Sequence, residues 1–104
     1  MDHTSLEAFL AVAETGSFSR AAERLFLTQP AISKRVANLE QSLGVQLFDR
    51  IGRDVYLTES GRLLVDRASR ILEDIRDARL AVSQAGSDQV GQLSIASSHH
   101  IGLH

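Results

Sequence analysis

The side chains best equipped for chemistry lie in one short stretch, residues 28–34. It brings together two hydroxyls, an amide and an ammonium group around a proline: Thr28, Gln29, Pro30, Ser33 and Lys34. Such groups can donate hydrogen bonds to, or accept them from, the edges of nucleic-acid bases and the oxygens of phosphates. The stretch therefore favours recognition of a polar, anionic surface such as a DNA groove.

A helix must present these groups, and the sequence marks both of its ends. Thr28 suits an N-cap, Pro30 lies in the first turn where its missing N–H costs little, and Gly44 can take the left-handed conformation that ends a helix. Apolar residues recur with helical spacing on the opposite face: Ile32, Val36, Leu39 and Leu43. We predict a helix over about 28–43 with one buried and one polar face.

A shorter helix before it completes a helix-turn-helix over about 18–43. Ser17 or Ser19 can cap this helix. The two residues of the turn are apolar and are expected to pack on the core: Phe26 and Leu27. An amphipathic segment over about 4–14, ending near Gly16, supplies a third helix.

A strand-like pattern follows the second helix of the pair. Apolar residues flank a polar tip, which predicts a short hairpin. A hairpin in this position is the wing of a winged helix, and Arg53 beside Gly52 is placed to reach a phosphate or the minor groove. Arg50 has a structural alternative, in which it pairs with Asp49, Asp54 or a helix-end carbonyl.

A long helix is predicted from 59 to 86, with Thr58 as its cap and Gly86 as its end. Spacings of four and three residues alternate along one apolar seam: Leu64, Ala68, Ile71, Ile75, Ala78 and Val82. At about 1.5 Å per residue the helix is longer than a small winged helix can cover, so the seam favours a second copy. Packing on a further domain of the same protein is the alternative.

The last segment cannot form a domain alone. Residues 87–91 are polar, and residues 92–97 alternate polar and apolar like a strand. Because one strand cannot bury a core, residues 87–104 are expected to be the hinge and first strand of a truncated domain.

The charge distribution matters more than the net charge of −2. DNA binders normally carry excess Lys and Arg, and here residues 16–53 hold six basic and three acidic groups between acidic flanks. The acidic total gives weight to an alternative function, a winged helix that contacts a partner protein. Arg20, Arg24 and Arg35 are more simply explained as solvated charges, with Arg20 the best phosphate candidate.

Other classes of function find little support in the sequence. The four His residues lie near the chain ends, no Gly-rich phosphate loop follows a strand, and Cys is absent. No apolar run approaches the about 18 residues that a membrane helix needs. We expect a soluble, intracellular protein that is not an enzyme and has no metal site.

Together these motifs resemble the N-terminal region of bacterial LysR-type transcriptional regulators. The most specific stretch is Thr28-Gln29-Pro30-Ala31-Ile32-Ser33, and the likeness covers nearly the whole chain. It implies a mainly α fold in which three helices and a two-stranded wing form a winged helix-turn-helix. Its implied domains are a DNA-binding domain (1–58), a linker and dimerisation helix (59–86), and the hinge and first strand of a truncated effector-binding domain (87–104).

The resemblance also implies a function. Such regulators bind double-stranded DNA at interrupted inverted repeats, as homodimers joined through antiparallel linker helices. For the full-length protein, a tetramer is a candidate assembly and RNA polymerase a candidate partner. The expected place of action is the bacterial cytoplasm, at the nucleoid. No cofactor is expected in this part of the protein, whereas a small-molecule effector is expected for the full-length one.

The implied site combines the second helix with the wing. In such regulators the positions of Gln29, Pro30, Ser33 and Lys34 lie at the major groove, and that of Arg53 lies in the wing. By chemistry Gln29 suits adenine and Lys34 suits guanine. The DNA-binding residues predicted here are Ser17, Ser19, Arg20, Thr28, Gln29, Pro30, Ser33, Lys34 and Arg53.

Overall fold

The computed structural model describes residues 1–92 of the 104-residue chain. Within them lie four helices and one two-stranded sheet, namely α1 (His3–Thr15), α2 (Phe18–Leu25), α3 (Gln29–Leu43), β1 (Phe48–Ile51), β2 (Asp54–Leu57) and α4 (Glu59–Gln92). The predicted fold, a winged helix-turn-helix followed by a long helix, is confirmed. Residues 1–72 form one compact unit, and residues 73–92 belong to a second.

Capping residues mark where the first three helices begin and end. At each N-terminus a cap side chain accepts a hydrogen bond from the backbone N–H three residues further on: Asp2, Ser17 and Thr28. Gly16 and Gly44, with φ of 71° and 72°, follow the ends of α1 and α3 in the left-handed conformation. The predicted caps Thr28 and Gly44 are confirmed, and Ser17 rather than Ser19 caps α2.

The turn between α2 and α3 corrects one prediction. Phe26 takes a left-handed backbone, φ 56°, and its N–H bonds the last carbonyls of α2. This conformation directs the ring outward, and Phe26 is 94% exposed. Leu27 does pack against the core, as predicted. The backbone requirement of the helix end therefore outweighs the apolar character of Phe26.

The core of residues 1–72 lies where α1, α2 and α3 pack on one another. Three aromatic rings extend it toward the wing, since Phe48 lies 5.3 Å from Phe9 and 5.9 Å from Phe18 between ring centroids. Offset and edge-on pairs of this kind are favourable. The first residue of β1 is thus anchored in the core.

The predicted hairpin is confirmed as an antiparallel pair in which Phe48 lies opposite Leu57 and Ile51 opposite Asp54. Its two-residue turn is Gly52-Arg53, and Gly52 has the positive φ, 63°, that such a turn requires at its first position. Before β1, the carboxylate of Glu40 on α3 accepts a hydrogen bond of 2.7 Å from the backbone N–H of residue 47. The wing is therefore tied directly to α3.

Hydrogen bonds also hold the start of α4 beside residues 46 and 47. The Thr58 hydroxyl accepts a 3.0 Å hydrogen bond from the backbone N–H of Gly61 and donates one of 2.7 Å to the carbonyl of Gln46. Gly61 is buried, and a Cβ built on it would lie 2.2 Å from the backbone oxygen of Leu47. Only a glycine lets the helix approach the backbone of residue 47, just before β1, this closely.

The apolar seam of α4 requires a correction. Ala68 is buried with 0% exposure in the core of residues 1–72, and Leu64 and Ile71 pack against that core. A core-facing stripe and a coiled-coil seam share nearly the same period, so spacing alone did not separate them. Ala68 has no surface left for a second copy. Further along α4, Ile75 is partly exposed, and Ala78 and Val82 are exposed.

The end of α4 also differs from the prediction. The helix continues through Gly86 to Gln92, so the linker expected at 87–91 is helical. A glycine inside a helix costs about 1 kcal/mol relative to Ala, which weakens a helix without ending it. Gln92, expected to begin a strand, is the last helical residue, and the rest of that strand lies outside the described residues.

Candidate nucleic-acid interface

The outward face of α3 carries the polar groups that the sequence singled out. Gln29, Pro30 and Lys34 are exposed and Ser33 is partly exposed, while the opposite face of the helix is buried. Thr28 is exposed, and its hydroxyl accepts a 3.2 Å hydrogen bond from the backbone N–H of residue 31. The N-terminus of α3 therefore presents an amide, hydroxyls and an ammonium group to solvent.

The N-terminus of α2 lies beside the start of α3. Ser17 uses its hydroxyl to accept a 3.1 Å hydrogen bond from the backbone N–H of Arg20. Ser19, on the first turn of α2, donates a 3.0 Å hydrogen bond from its hydroxyl to Oε1 of Gln29. The two serines thus have different roles, because one caps its own helix and the other contacts the next helix.

The wing supplies two arginines with different surroundings. Arg53 is exposed in the turn of the hairpin. The guanidinium of Arg50 lies 4.1 Å from the centre of the Phe18 ring, which is cation–π geometry. The pairing considered for Arg50, with Asp49, Asp54 or a helix-end carbonyl, is not seen among the described residues, and its partner is the Phe18 ring.

An open groove of about 400 Å³ runs between α2, α3 and the wing. It brings together four of the predicted DNA-binding residues with Arg50 and Asp54: Ser17, Ser19, Gln29 and Arg53. A second groove of about 410 Å³, between α3 and β1, is lined by Ser33 and again by Arg50. Arg50, for which the sequence offered a structural alternative, thus borders both grooves.

The remaining predicted residues lie outside these two grooves, all on exposed surface: Arg20, Thr28, Pro30 and Lys34. Arg24 instead pairs with Glu14 across α1 and α2, as expected for a surface charge. Arg20, Lys34, Arg50 and Arg53 are therefore the exposed cations of α2, α3 and the wing that can meet an anionic partner.

The exposed groups of this surface are hydrogen-bonding side chains and cations. In the part of the chain that the structure describes, no group of three or more His, Asp or Glu side chains is placed to hold a metal ion. Among residues 1–92, no helix is long and apolar enough to cross a membrane. The surface offers an amide and hydroxyls for hydrogen bonds, together with exposed arginines, the type of side chain that pairs with phosphates.

Comparison with known proteins gives close matches in sequence. The chain is 62% identical, over all of its length and 72% of the relative's, to an uncharacterized HTH-type transcriptional regulator in the ibpB-leuC intergenic region of Azotobacter vinelandii. It is 43% identical, over 97% of its length, to the SDS degradation transcriptional activation protein of a Pseudomonas species. Of that activator the chain spans only 33%.

Solved structures agree with the fold. The chain matches the crystal structure of the CbnR_DBD–DNA complex with a TM-score of 0.74 and 38% identity, over 84% of this chain and 99% of that one. For the BenM_DBD complex with catB site 1 DNA the TM-score is 0.79 and the identity 33%, over 84% and 98% of the two chains.

The family model described as "Bacterial regulatory helix-turn-helix protein, lysR family" matches residues 3–62, which include α1, α2, α3 and the wing. This match covers more than half of the chain. The chain therefore belongs to the lysR family of bacterial regulatory helix-turn-helix proteins, which are transcription regulators and not enzymes.

Proposed function

We propose that this chain binds duplex DNA in a sequence-specific way, with α3 in the major groove and the wing tip on the neighbouring backbone or minor groove. The observation that carries the proposal is the shared groove, in which Gln29 of α3 and Arg53 of the wing lie on one exposed surface. The DNA complexes of the similar CbnR and BenM domains support it.

Each exposed group has a part suited to its chemistry. The amide of Gln29 can bond an adenine at two points, and the ammonium group of Lys34 can bond the acceptors of a guanine. Ser33 and Thr28 can add base or phosphate contacts. Arg53 and Arg20 would neutralise phosphates, which strengthens binding to every sequence alike.

Two copies would bind an interrupted inverted repeat. A homodimer places its recognition helices in successive major grooves about 34 Å apart. Within the second unit, apolar residues of α4 are candidates for the dimer contact: the exposed Leu80, Val82 and Ala78, and the partly exposed Ile75. For the whole protein we propose a response to a small-molecule effector, contact with RNA polymerase and action in the cytoplasm.

Selection from a random duplex pool tests the proposal. We expect enrichment of a dyad with half-sites about one helical turn apart, and binding that weakens steeply with salt. Gln29→Ala should relax the base preference at one position of each half-site. Arg53→Ala should weaken specific and random duplexes alike, whereas Arg24→Ala removes the same charge from an arginine paired with Glu14 and serves as the matched control.

No enrichment at low salt would overturn the proposal and favour the alternative, a winged helix that contacts a partner protein. Equal losses on specific and random DNA for both Gln29→Ala and Arg53→Ala would retain DNA binding but contradict the division of roles between α3 and the wing.

A further inference from the structure

We propose that Ser19 is a positioning residue that sets which end of the Gln29 amide faces DNA. The inference rests on the proposed function, because it takes Gln29 as the group that reads a base. It goes further in naming a residue of a different helix that determines how Gln29 reads. The two side chains are ten positions apart in sequence and come together only in the folded helix pair.

The geometry that supports this is one hydrogen bond. The Ser19 hydroxyl donates to Oε1 of Gln29 at 3.0 Å, and both side chains line the groove shared with Arg53. Among residues 1–86, the other hydrogen bonds between side chains are Thr4 with Asp2, Arg24 with Glu14 and Tyr56 with Asp54. Of these four side-chain hydrogen bonds, the one between Ser19 and Gln29 links α2 to α3.

The chemistry of an amide makes this bond matter. The terminal torsion of a glutamine side chain is broad and nearly two-fold, so a free amide can present either its oxygen or its NH₂ group to a given point. The Ser19 hydroxyl donates to Oε1, and while this bond is made the amide holds one of these two orientations. Both N–H groups of Nε2 and the second lone pair of Oε1 then remain for DNA.

That orientation has a consequence for base reading. Adenine offers N7 as an acceptor and its N6 amino group as a donor, so a glutamine must place NH₂ and oxygen in one order to bond both. A reversed amide would place its oxygen against N7, acceptor against acceptor, and its NH₂ group against N6, donor against donor. Ser19 therefore contributes to specificity through Gln29 and requires no contact of its own with the duplex.

The test measures a ratio of affinities. The two duplexes are the selected operator and a copy with one base pair changed, at the position whose preference Gln29→Ala loses. An exposed hydrogen bond of this type corresponds to about two- to tenfold in an equilibrium. We expect Ser19→Ala to lower the discrimination ratio by about two- to tenfold, with cooperative thermal unfolding retained.

Three further variants make the result specific. Ser19→Thr keeps the hydroxyl and should restore the ratio. Ser42→Ala removes a hydroxyl that bonds a backbone carbonyl of α3 outside the grooves, and it should leave the ratio at the wild-type value. In the Gln29→Ala background, Ser19→Ala should have no further effect, because the group through which it acts is gone.

Two outcomes would overturn the inference while leaving the proposed function intact. In one, Gln29→Ala lowers the ratio and Ser19→Ala does not. In the other, Ser19→Ala weakens both duplexes equally and still does so in the Gln29→Ala background, which would mean a direct contact with DNA. If Gln29→Ala changes no base preference, the proposed role of Gln29 fails, and the role of Ser19 fails with it.

Discussion

The two faces of α3 differ in what holds their side chains in place. On the inward face Ile32, Val36 and Leu39 are buried among the residues of three helices. On the outward face Gln29 is held by a single hydrogen bond from Ser19, and Lys34 is exposed. The comparison shows how one helix can separate stability from recognition, since substitutions on one face should unfold the domain and those on the other should change only what it binds.

The sharpest test of this separation is Ile32→Ala. Ile32 is fully buried, so its truncation should lower the free energy of unfolding by about 2–5 kcal/mol through lost burial and a cavity. Lys34→Ala, two residues further on the exposed face, should change it by no more than about 0.5 kcal/mol. Urea unfolding measures both, and equal losses would contradict the separation.

Gly61→Ala extends the comparison to the start of α4. The added Cβ would lie 2.2 Å from the backbone oxygen of Leu47, so α4 and the segment before β1 must move apart, at a cost of about 1–3 kcal/mol. Gly86→Ala is the matched control, because an added Cβ meets no atom there. It should stabilise α4 by up to about 1 kcal/mol. If thermal unfolding showed the same sign for both variants, the close approach at Gly61 would not be required.

Glu40→Ala tests the link between α3 and the wing. It leaves the backbone N–H of Leu47 without its 2.7 Å partner, and we expect a loss of about 1 kcal/mol. Glu40→Gln keeps an acceptor oxygen and should lose less. Gln41→Ala, on the exposed side of the same turn, is the control. Faster amide hydrogen exchange in β1 for Glu40→Ala but not Gln41→Ala is the expected signature, and unchanged exchange would refute the link.

The smallest expected effect is a pH dependence at the N-terminus of α1. Hydrogen bonds from the backbone and hydroxyl of Ser5, and from Thr4, lower the pKa of Asp2 from 3.8 to about 2. Because the folded pKa is the lower one, the cap stabilises α1 fully above about pH 4 and loses this effect as the pH falls through about 2. NMR titration of the carboxyl measures the shift, and Asp2→Asn should abolish the pH dependence while keeping the cap.

Structural features set by a local signal could be predicted from the sequence. Thr28 and Gly44 act within one turn of α3, and the turn of the wing follows from Gly52, so their structure could be predicted from neighbouring residues. The outward position of Gln29 and Lys34 followed from helical period alone. Such features depend on few atoms outside their own element.

Burial and contacts that depend on a second element could not be predicted from the sequence. Phe26 was expected to be buried for its type, but the left-handed end of α2 turns it outward. Ala68 has the spacing of a coiled-coil seam and is instead part of the core. The contact between Ser19 and Gln29 depends on how α2 and α3 cross, which no spacing within either helix reveals.

The packing of Phe48 has a consequence for the spacing that the domain can recognise. Its ring joins those of Phe9 and Phe18 in the core, and Glu40 ties the adjoining backbone to α3. For a duplex bound as proposed, the recognition helix and the base of the wing therefore keep a fixed separation. Within one half-site the distance between these two contacts is fixed by the domain. Operators of different length would therefore differ in the spacing between their two half-sites.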